Sequence, residues 1–225
     1  MREPEEARDV TALVTGSAGG IGAAIVRKLT AEGLQVRELD LVHGFDVADA
    51  SAWEHVGSVD LACLNAGVLT GDEDIANLTD EQYRRAVGVN VDGVVFGVRR
   101  LARVMPKGST IVATASLAGL TAIADDPIYG LTKHAVVGFV RSVAPQLAER
   151  EIRIQAVCPA WADTGLMTDD FKRNLGSQGY KLLRPEEVAD GVWAAYTSEG
   201  TGEAWIVQSG REPLNYEFKG VPGPR

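Results

Sequence analysis

Val10-Thr11-Ala12-Leu13-Val14-Thr15 followed by Gly16-Ser17-Ala18-Gly19-Gly20-Ile21-Gly22 is the stretch that decides the fold. An apolar run ends abruptly in glycines, and a segment of helical period follows from about Gly20 to Glu32. Glycine lets the chain turn sharply and lets a phosphate approach the backbone, while the next helix points its positive end at that phosphate. The glycines are spaced more widely than G-x-G-x-x-G. By itself the turn fits a nucleotide seat and a plain tight turn equally well.

Reading outward, the chain alternates. Gly33 stops the first helix, and a β-like run, Leu34–Leu39, ends in Asp40. Val59–Leu64 is a third apolar strand. Thr79 and Gln82 form a capping-box pattern before a long helix that reaches about Met105, where Pro106 and Gly108 end it. Ser109–Ala115 reads as a strand, Tyr129–Glu149 as a helix, and Ile152–Val157 as a strand stopped by Pro159. Pro185 with Glu186 and Glu187 opens another helix, and Ala204–Val207 is a last short strand. Strand–helix alternation with wholly apolar strands predicts an α/β fold: a Rossmann-type, doubly wound parallel sheet in a single domain. In such sheets ligands sit at the carboxyl ends of the strands. The domain is expected over residues 10–215, with a flexible N-terminus (1–9) and a loose tail (216–225).

Asp40 closes the second strand 18 positions after Gly22. An acid about 20 residues downstream can accept hydrogen bonds from the adenosine ribose and repel a 2′-phosphate. Ser116 follows the strand Ser109–Ala115, and Tyr129 and Lys133 stand four residues apart on one helix face. Hydride transfer leaves a proton to move to or from a substrate oxygen. A free tyrosine has a pKa near 10, so roughly one in a thousand is phenolate at pH 7. A nearby lysine cation and an oxidised nicotinamide ring both favour phenolate, and lowering the pKa by about two to three units takes roughly 3–4 kcal/mol of differential interaction. Ser116 can hold and polarise the same oxygen.

Composition bounds the alternatives. The formal charge of −9 on 225 residues argues against nucleic acid and anionic membranes as partners. Cys63 and Cys158 lie in apolar runs and read as buried hydrophobes, which makes a reducing cytoplasm the default. The acidic start has no signal-peptide pattern, and no apolar stretch approaches the ~20 residues that span a bilayer. His43, His55 and His134 form no metal constellation, so no metal is expected; Gly71–Ile75 reads as a solvated acidic loop. Trp161–Leu183, rich in large apolar residues, reads as helix core or as a lid over an apolar or ring-bearing alcohol or ketone, with Leu117 and Ile123 adding to the wall.

Taken together, these residues resemble the short-chain dehydrogenase/reductase family from about Val10 to Gly210. Thr15–Gly22 is similar to its TGxxxGxG turn, in which Gly16, Ser17, Gly20, Ile21 and Gly22 would face the cofactor. Asp46-Val47 resembles the pair that contacts adenine, and Asn65-Ala66-Gly67 the NAG after the fourth strand. Asn90 matches the helix asparagine that holds the catalytic lysine through water, and Ser116, Tyr129 and Lys133 match the active-site Ser and YxxxK. Pro159 to Thr164, with Ala162, resembles the segment that clasps the nicotinamide carboxamide. The resemblance implies a catalytic tetrad of Asn90, Ser116, Tyr129 and Lys133, with Tyr129 and Lys133 also touching the cofactor. The implied function is an NAD-dependent oxidoreductase, with a catalytically silent NAD-binding regulator as the alternative. NAD rather than NADP is implied by Asp40 and by Ser17, which stands where NADP-preferring members often carry Arg or Lys. A homodimer or homotetramer through the two long helices is also implied.

Four departures stand out. Leu64 replaces the first Asn of NNAG, Ala160 replaces the Gly of Pro-Gly, and Gln208-Ser209-Gly210 replaces the acidic-Gly-Gly ending. Only five residues separate Asp40 from Asp46, too few for the family's usual helix and third strand, so that edge is expected to be trimmed.

Overall fold

The computed structural model describes residues 10–71 and 74–220; the expected flexible segment 1–9, the end of the expected tail and part of the acidic loop lie outside them. Seven strands form one sheet in the order β2-β1-β3-β4-β5-β6-β7. They are β1 (Thr11–Thr15), β2 (Gln35–Leu39), β3 (Leu61–Leu64), β4 (Thr110–Thr114), β5 (Arg153–Pro159), β6 (Ala204–Val207) and β7 (Leu214–Asn215). Every pairing is parallel except β6 with β7. Six helices connect them: α1 (Gly20–Ala31), α2 (Asp80–Val87), α3 (Gly93–Val104), α4 (Pro127–Ala148), α5 (Asp169–Ser177) and α6 (Pro185–Thr197).

Side chains alternate across a strand, so wholly apolar strands must be covered on both faces. Leu13, Ala62, Ile111 and Ile154 point into one core with Val98, Leu101, Val136 and Val140 of α3 and α4. Their neighbours Val14, Leu61, Val112 and Val157 point into the other, with Ile25 and Leu29 of α1 and Val188 and Val192 of α6. Ile111 is fully buried, so truncating it to Ala costs about 2–5 kcal/mol.

The order of strands reverses beside β1, and this opens a crevice at the carboxyl ends of β1 and β3. The Asp40 edge is trimmed as expected. After β2 the chain makes two short 3-10 turns, Leu41–His43 and Ala52–His55, and goes straight to β3 on the far side of β1. Trp53 pins this short segment: it is buried, its Nε1 donates to the Val47 carbonyl at 2.9 Å, and Phe45 meets it edge-on. Val47 is itself core and packs where a side chain on Gly93 would be.

Three elements differ from the sequence reading. The helix expected from residue 80 to 105 is interrupted by a π turn, Gly88–Asp92, centred on Asn90. The helix carrying Tyr129 begins earlier, at Pro127, with Asp126 as its cap. The chain after Val207 returns as β7, and residues 216–218 stay packed: the Tyr216 N–H donates to the Ala204 carbonyl, and the Arg141 guanidinium stacks on Phe218.

Candidate active site

The glycine turn is built by fit. Gly22 sits where any Cβ would collide with the Gly16 carbonyl, so the first turn of α1 can close on the end of β1 only with glycine there. Asn65, just past β3, locks this arrangement. Its backbone N–H and that of Ala66 donate to the Thr15 hydroxyl at 2.9 and 3.1 Å, and its side-chain amide donates to the Thr15 carbonyl at 3.2 Å. The network continues across the sheet. The Thr114 hydroxyl donates to Asn65 Oδ1 at 3.2 Å, and Lys133 Nζ donates to the Thr114 carbonyl at 2.8 Å. One chain of hydrogen bonds thus runs from the glycine turn to the lysine on α4.

Asn90 forms a second anchor. Its Oδ1 accepts from the Val68 N–H at 2.8 Å, while its Nδ2 donates to the Val68 carbonyl at 2.9 Å and to Thr132 Oγ1 at 3.0 Å. A π turn costs helix regularity and is found often at functional sites. Here the fully buried Asn90 side chain makes three bonds to groups outside its own helix. Gly67 lies between this anchor and the lysine: a Cβ there would stand 3.4 Å from both Asn90 Oδ1 and Lys133 Nζ.

A cleft of about 410 Å³ opens over these elements. Its lining contains Gly16, Gly20, Ile21, Asp40, Asn65, Ala66, Gly67, Ser116, Tyr129, Lys133, Pro159, Ala162 and Thr164, all expected from the sequence. Five expected residues do not line it. Ser17 is buried beneath the turn, Gly22 is the packing glycine, Asp46 caps its own loop through the Ala48 N–H, and Val47 is in the core. Asn90 stands behind the cleft and shapes it through Val68 and Thr132. The Asp40 carboxylate accepts from the Ala18 N–H at 3.0 Å and the Val42 N–H at 3.1 Å, which ties β2 to the glycine turn.

A second chamber of about 400 Å³ adjoins the first and shares Leu69, Trp161, Leu166 and Met167 with it. Val68, Ile123 and Phe171 add apolar wall, and Arg85 and Asp125 also border it. Much of the 161–183 stretch is therefore wall as well as core. Trp161 and Phe171 meet edge-on at 5.2 Å, Leu175 and Leu183 are buried, and Tyr180 faces solvent. An ion pair of Lys172 with Asp163 and the bridge Ala162–Leu183 hold the segment down.

The electrostatics differ from the sequence expectation. Burial pushes the Tyr129 hydroxyl up to about 12, the hydrogen bond with Ser116 pulls it back, and the Asp126 charge adds to the rise. Burial likewise pulls Lys133 down to about 8, and among the described residues no carboxylate pairs with it. Lys133 Nζ lies 5.5 Å from the centre of the Tyr129 ring. In the protein alone, desolvation outweighs the lysine's help to phenolate. Cys158 neighbours both groups but is itself pushed up to about 12 by burial, so it stays a neutral thiol.

A family model described as enoyl-(acyl carrier protein) reductase matches residues 44–194. Borneol dehydrogenase, mitochondrial, of Lavandula x intermedia is 31% identical over 91% of this chain and 91% of its own. The chain belongs to the short-chain dehydrogenase/reductase family. Its 15-hydroxyprostaglandin dehydrogenase [NAD(+)] relative from Mus musculus is 26% identical over 80% of this chain and 82% of its own. A crystal structure of BdcA in complex with NADPH superposes with a TM-score of 0.79, at 26% identity, over 88% of this chain and 92% of that one. As a short-chain dehydrogenase/reductase, the protein is an oxidoreductase of alcohols or ketones.

The sequence reading did not pick out three residues of this site. Thr114 is the link between Asn65 and Lys133, and only the register of β4 reveals it. Thr132 receives Asn90 and donates to the Tyr129 carbonyl. Asp126 caps α4, and the Asp-Pro pair at 126–127 was a readable helix start.

Proposed function

We propose that this protein is an NAD-dependent oxidoreductase that interconverts an apolar or ring-bearing secondary alcohol and its ketone. The observation that carries this reading is the meeting of Ser116, Tyr129 and Lys133 in the cleft that the glycine turn and Asp40 also line. The residues fit a dinucleotide. Gly16 and Gly20 present bare backbone to the cleft at positive φ of 65° and 50°, so a phosphate can approach the turn at the positive end of α1. Gly16, Gly20, Asn65, Pro159 and Thr164 would hold the cofactor. When bound, the nicotinamide supplies the hydride acceptor or donor.

The chain's own residues handle the proton. Tyr129 takes the hydroxyl proton of an alcohol, or gives it to the oxygen of a ketone. Ser116 holds that oxygen and moderates the tyrosine, which burial otherwise keeps protonated. Lys133, protonated below about 8, supplies positive charge to the developing phenolate, and Asn90 fixes the loop and helix around it. NAD is favoured because Asp40 puts a carboxylate at the cleft and because, among the described residues, Lys133 is the sole basic residue in its lining. The second chamber supports an apolar substrate; its volume lies within the roughly 300–1,000 Å³ usual for small-molecule sites. We place the protein in the cytoplasm, as two buried free thiols fit a reducing compartment, and infer a homodimer or homotetramer through α2–α3 and α4.

The test is to incubate the protein with NAD or NADP and a panel of secondary alcohols, neutral and polyhydroxylated, and to follow reduced cofactor by absorbance. Turnover of apolar cyclic alcohols with NAD is expected. Tight NAD binding with no turnover on any member would point instead to a silent regulator, and better kcat/KM with NADP would overturn the role given to Asp40.

A further inference from the structure

Asp126 is nearly buried, at 5% exposure, and stands three residues before Tyr129. Its two oxygens face different elements. Oδ1 accepts from the Tyr129 N–H at 2.8 Å, and Oδ2 accepts from the Thr70 N–H at 2.8 Å. A helix cap needs the first bond only. The second bond reaches 56 positions back along the chain, to the loop Val68–Thr70 that borders the second chamber.

The same loop is gripped at its other end. Asn90 holds both backbone groups of Val68 and also reaches Thr132, six positions beyond the Asp126 cap. The loop and the first turn of α4 are thereby joined at two points, through Asn90 at Val68 and Asp126 at Thr70. The tyrosine hydroxyl and part of the substrate wall stand on that joined unit.

We propose that Asp126 is a positioning residue for Tyr129, whose carboxylate fixes the start of the catalytic helix and the substrate-side loop as one body. The proposal rests on the reading of Tyr129 as the acid/base group. The carboxylate also acts on that group by its charge. Facing the tyrosine are Ser116 beyond β4, Cys158 of β5, and Lys133 and Asp126 on its own helix; of these, Asp126 supplies the negative charge, and it opposes phenolate. A neutral amide at position 126 keeps one accepting oxygen and loses both the second acceptor and the charge.

The test compares Asp126→Asn and Asp126→Ala with Glu149→Gln, which removes one charge at the exposed far end of the same helix. Thermal unfolding and NAD binding check that each variant folds. In alcohol oxidation, Asp126→Asn is expected to lower kcat by about 10- to 100-fold through misplacement of the tyrosine. It is also expected to move the acidic limb of the kcat/KM profile down by roughly half a pH unit, because phenolate forms more readily. A cap that was merely structural would lower the melting temperature without moving that limb. An unmoved limb with unchanged kcat, or an equal shift in Glu149→Gln, would overturn the proposal. Amide hydrogen exchange gives a readout independent of turnover. The Thr70 and Tyr129 amides should exchange faster together in Asp126→Ala and remain protected in Glu149→Gln. If the wild type oxidises no alcohol, the functional reading falls, while unchanged exchange at those two amides would overturn the tie itself.

Discussion

The two ends of the cleft are held in opposite ways. At the catalytic end, Lys133, Asn90, Thr114 and Thr132 are buried, and their partners come from β4, the loop after β3, the π turn and α4. At the Asp40 end, β2 is an edge strand, Leu41 and Val42 are 70% and 74% exposed, and the family's usual helix and third strand are replaced by two 3-10 turns. The specific ties there include the Asp40 carboxylate, the Trp53 plug and Arg100, whose Nε donates to the Val56 carbonyl at 2.8 Å. The difference matches the chemistry proposed for each end. Proton transfer needs atoms fixed to within a fraction of an ångström in a site whose charges are desolvated. Holding a ribose needs one carboxylate at a strand end, and that survives the loss of the neighbouring elements.

The largest expected effect is at the catalytic end. Tyr129→Phe removes the proposed acid/base hydroxyl and should lower turnover by about 10³-fold or more, with NAD affinity held, as read by steady-state rates and calorimetric titration. Gly22→Ala forces a Cβ into the Gly16 carbonyl, where backbone must give way. A cost of about 3 kcal/mol in stability and a collapse of NAD binding are expected from denaturant melts and titration. Lys133→Met should abolish most activity yet stabilise the fold by about 1–3 kcal/mol at pH 7, less the lost bond to Thr114, because a cation is buried there without a carboxylate. The sign is checkable. The folded pKa of about 8 lies below the ordinary 10.5, so the folded state sheds its proton first, and wild-type stability from this group rises between about pH 8 and 10.5. The advantage of Lys133→Met in unfolding free energy should therefore shrink across that window.

The Asp40 end should respond less in stability and more in selectivity. Asp40→Ser is expected to shift the NAD-to-NADP ratio of kcat/KM by about tenfold or more, the effect of roughly 1.4 kcal/mol of relieved repulsion. Val42→Ser, on the exposed turn, should change stability by less than about 0.5 kcal/mol. A large loss there would mean that the trimmed edge is covered by something else and would erase the contrast between the two ends.

What was legible in the sequence was local. The strand–helix alternation, the glycine turn, the Thr79–Gln82 capping box and the i, i+4 pair Tyr129–Lys133 all follow from short-range rules, and the structure carries each of them. The shortened Asp40–Asp46 segment could be counted directly. What was not legible depends on partners far along the chain. The π turn exists where Asn90 reaches Val68, 22 positions away, and no periodicity in residues 80–105 announces that contact. The return of the chain as β7 depends on β6 offering a free edge. The burial of the tyrosine and lysine was not legible either: their spacing shows proximity, while burial, which dominates both shifts in the protein alone, is set by the packed fold.

The central claim is that Tyr129 moves the substrate proton in hydride transfer. The direct test is a single-turnover experiment with wild type and Tyr129→Phe, each preloaded with NAD and mixed with a secondary alcohol that the wild type oxidises. NADH should appear in one fast phase whose rate rises with pH in the wild type, and it should be absent or at least about 10³-fold slower in the variant at matched NAD occupancy. NADH formation at the wild-type rate in Tyr129→Phe would contradict the account.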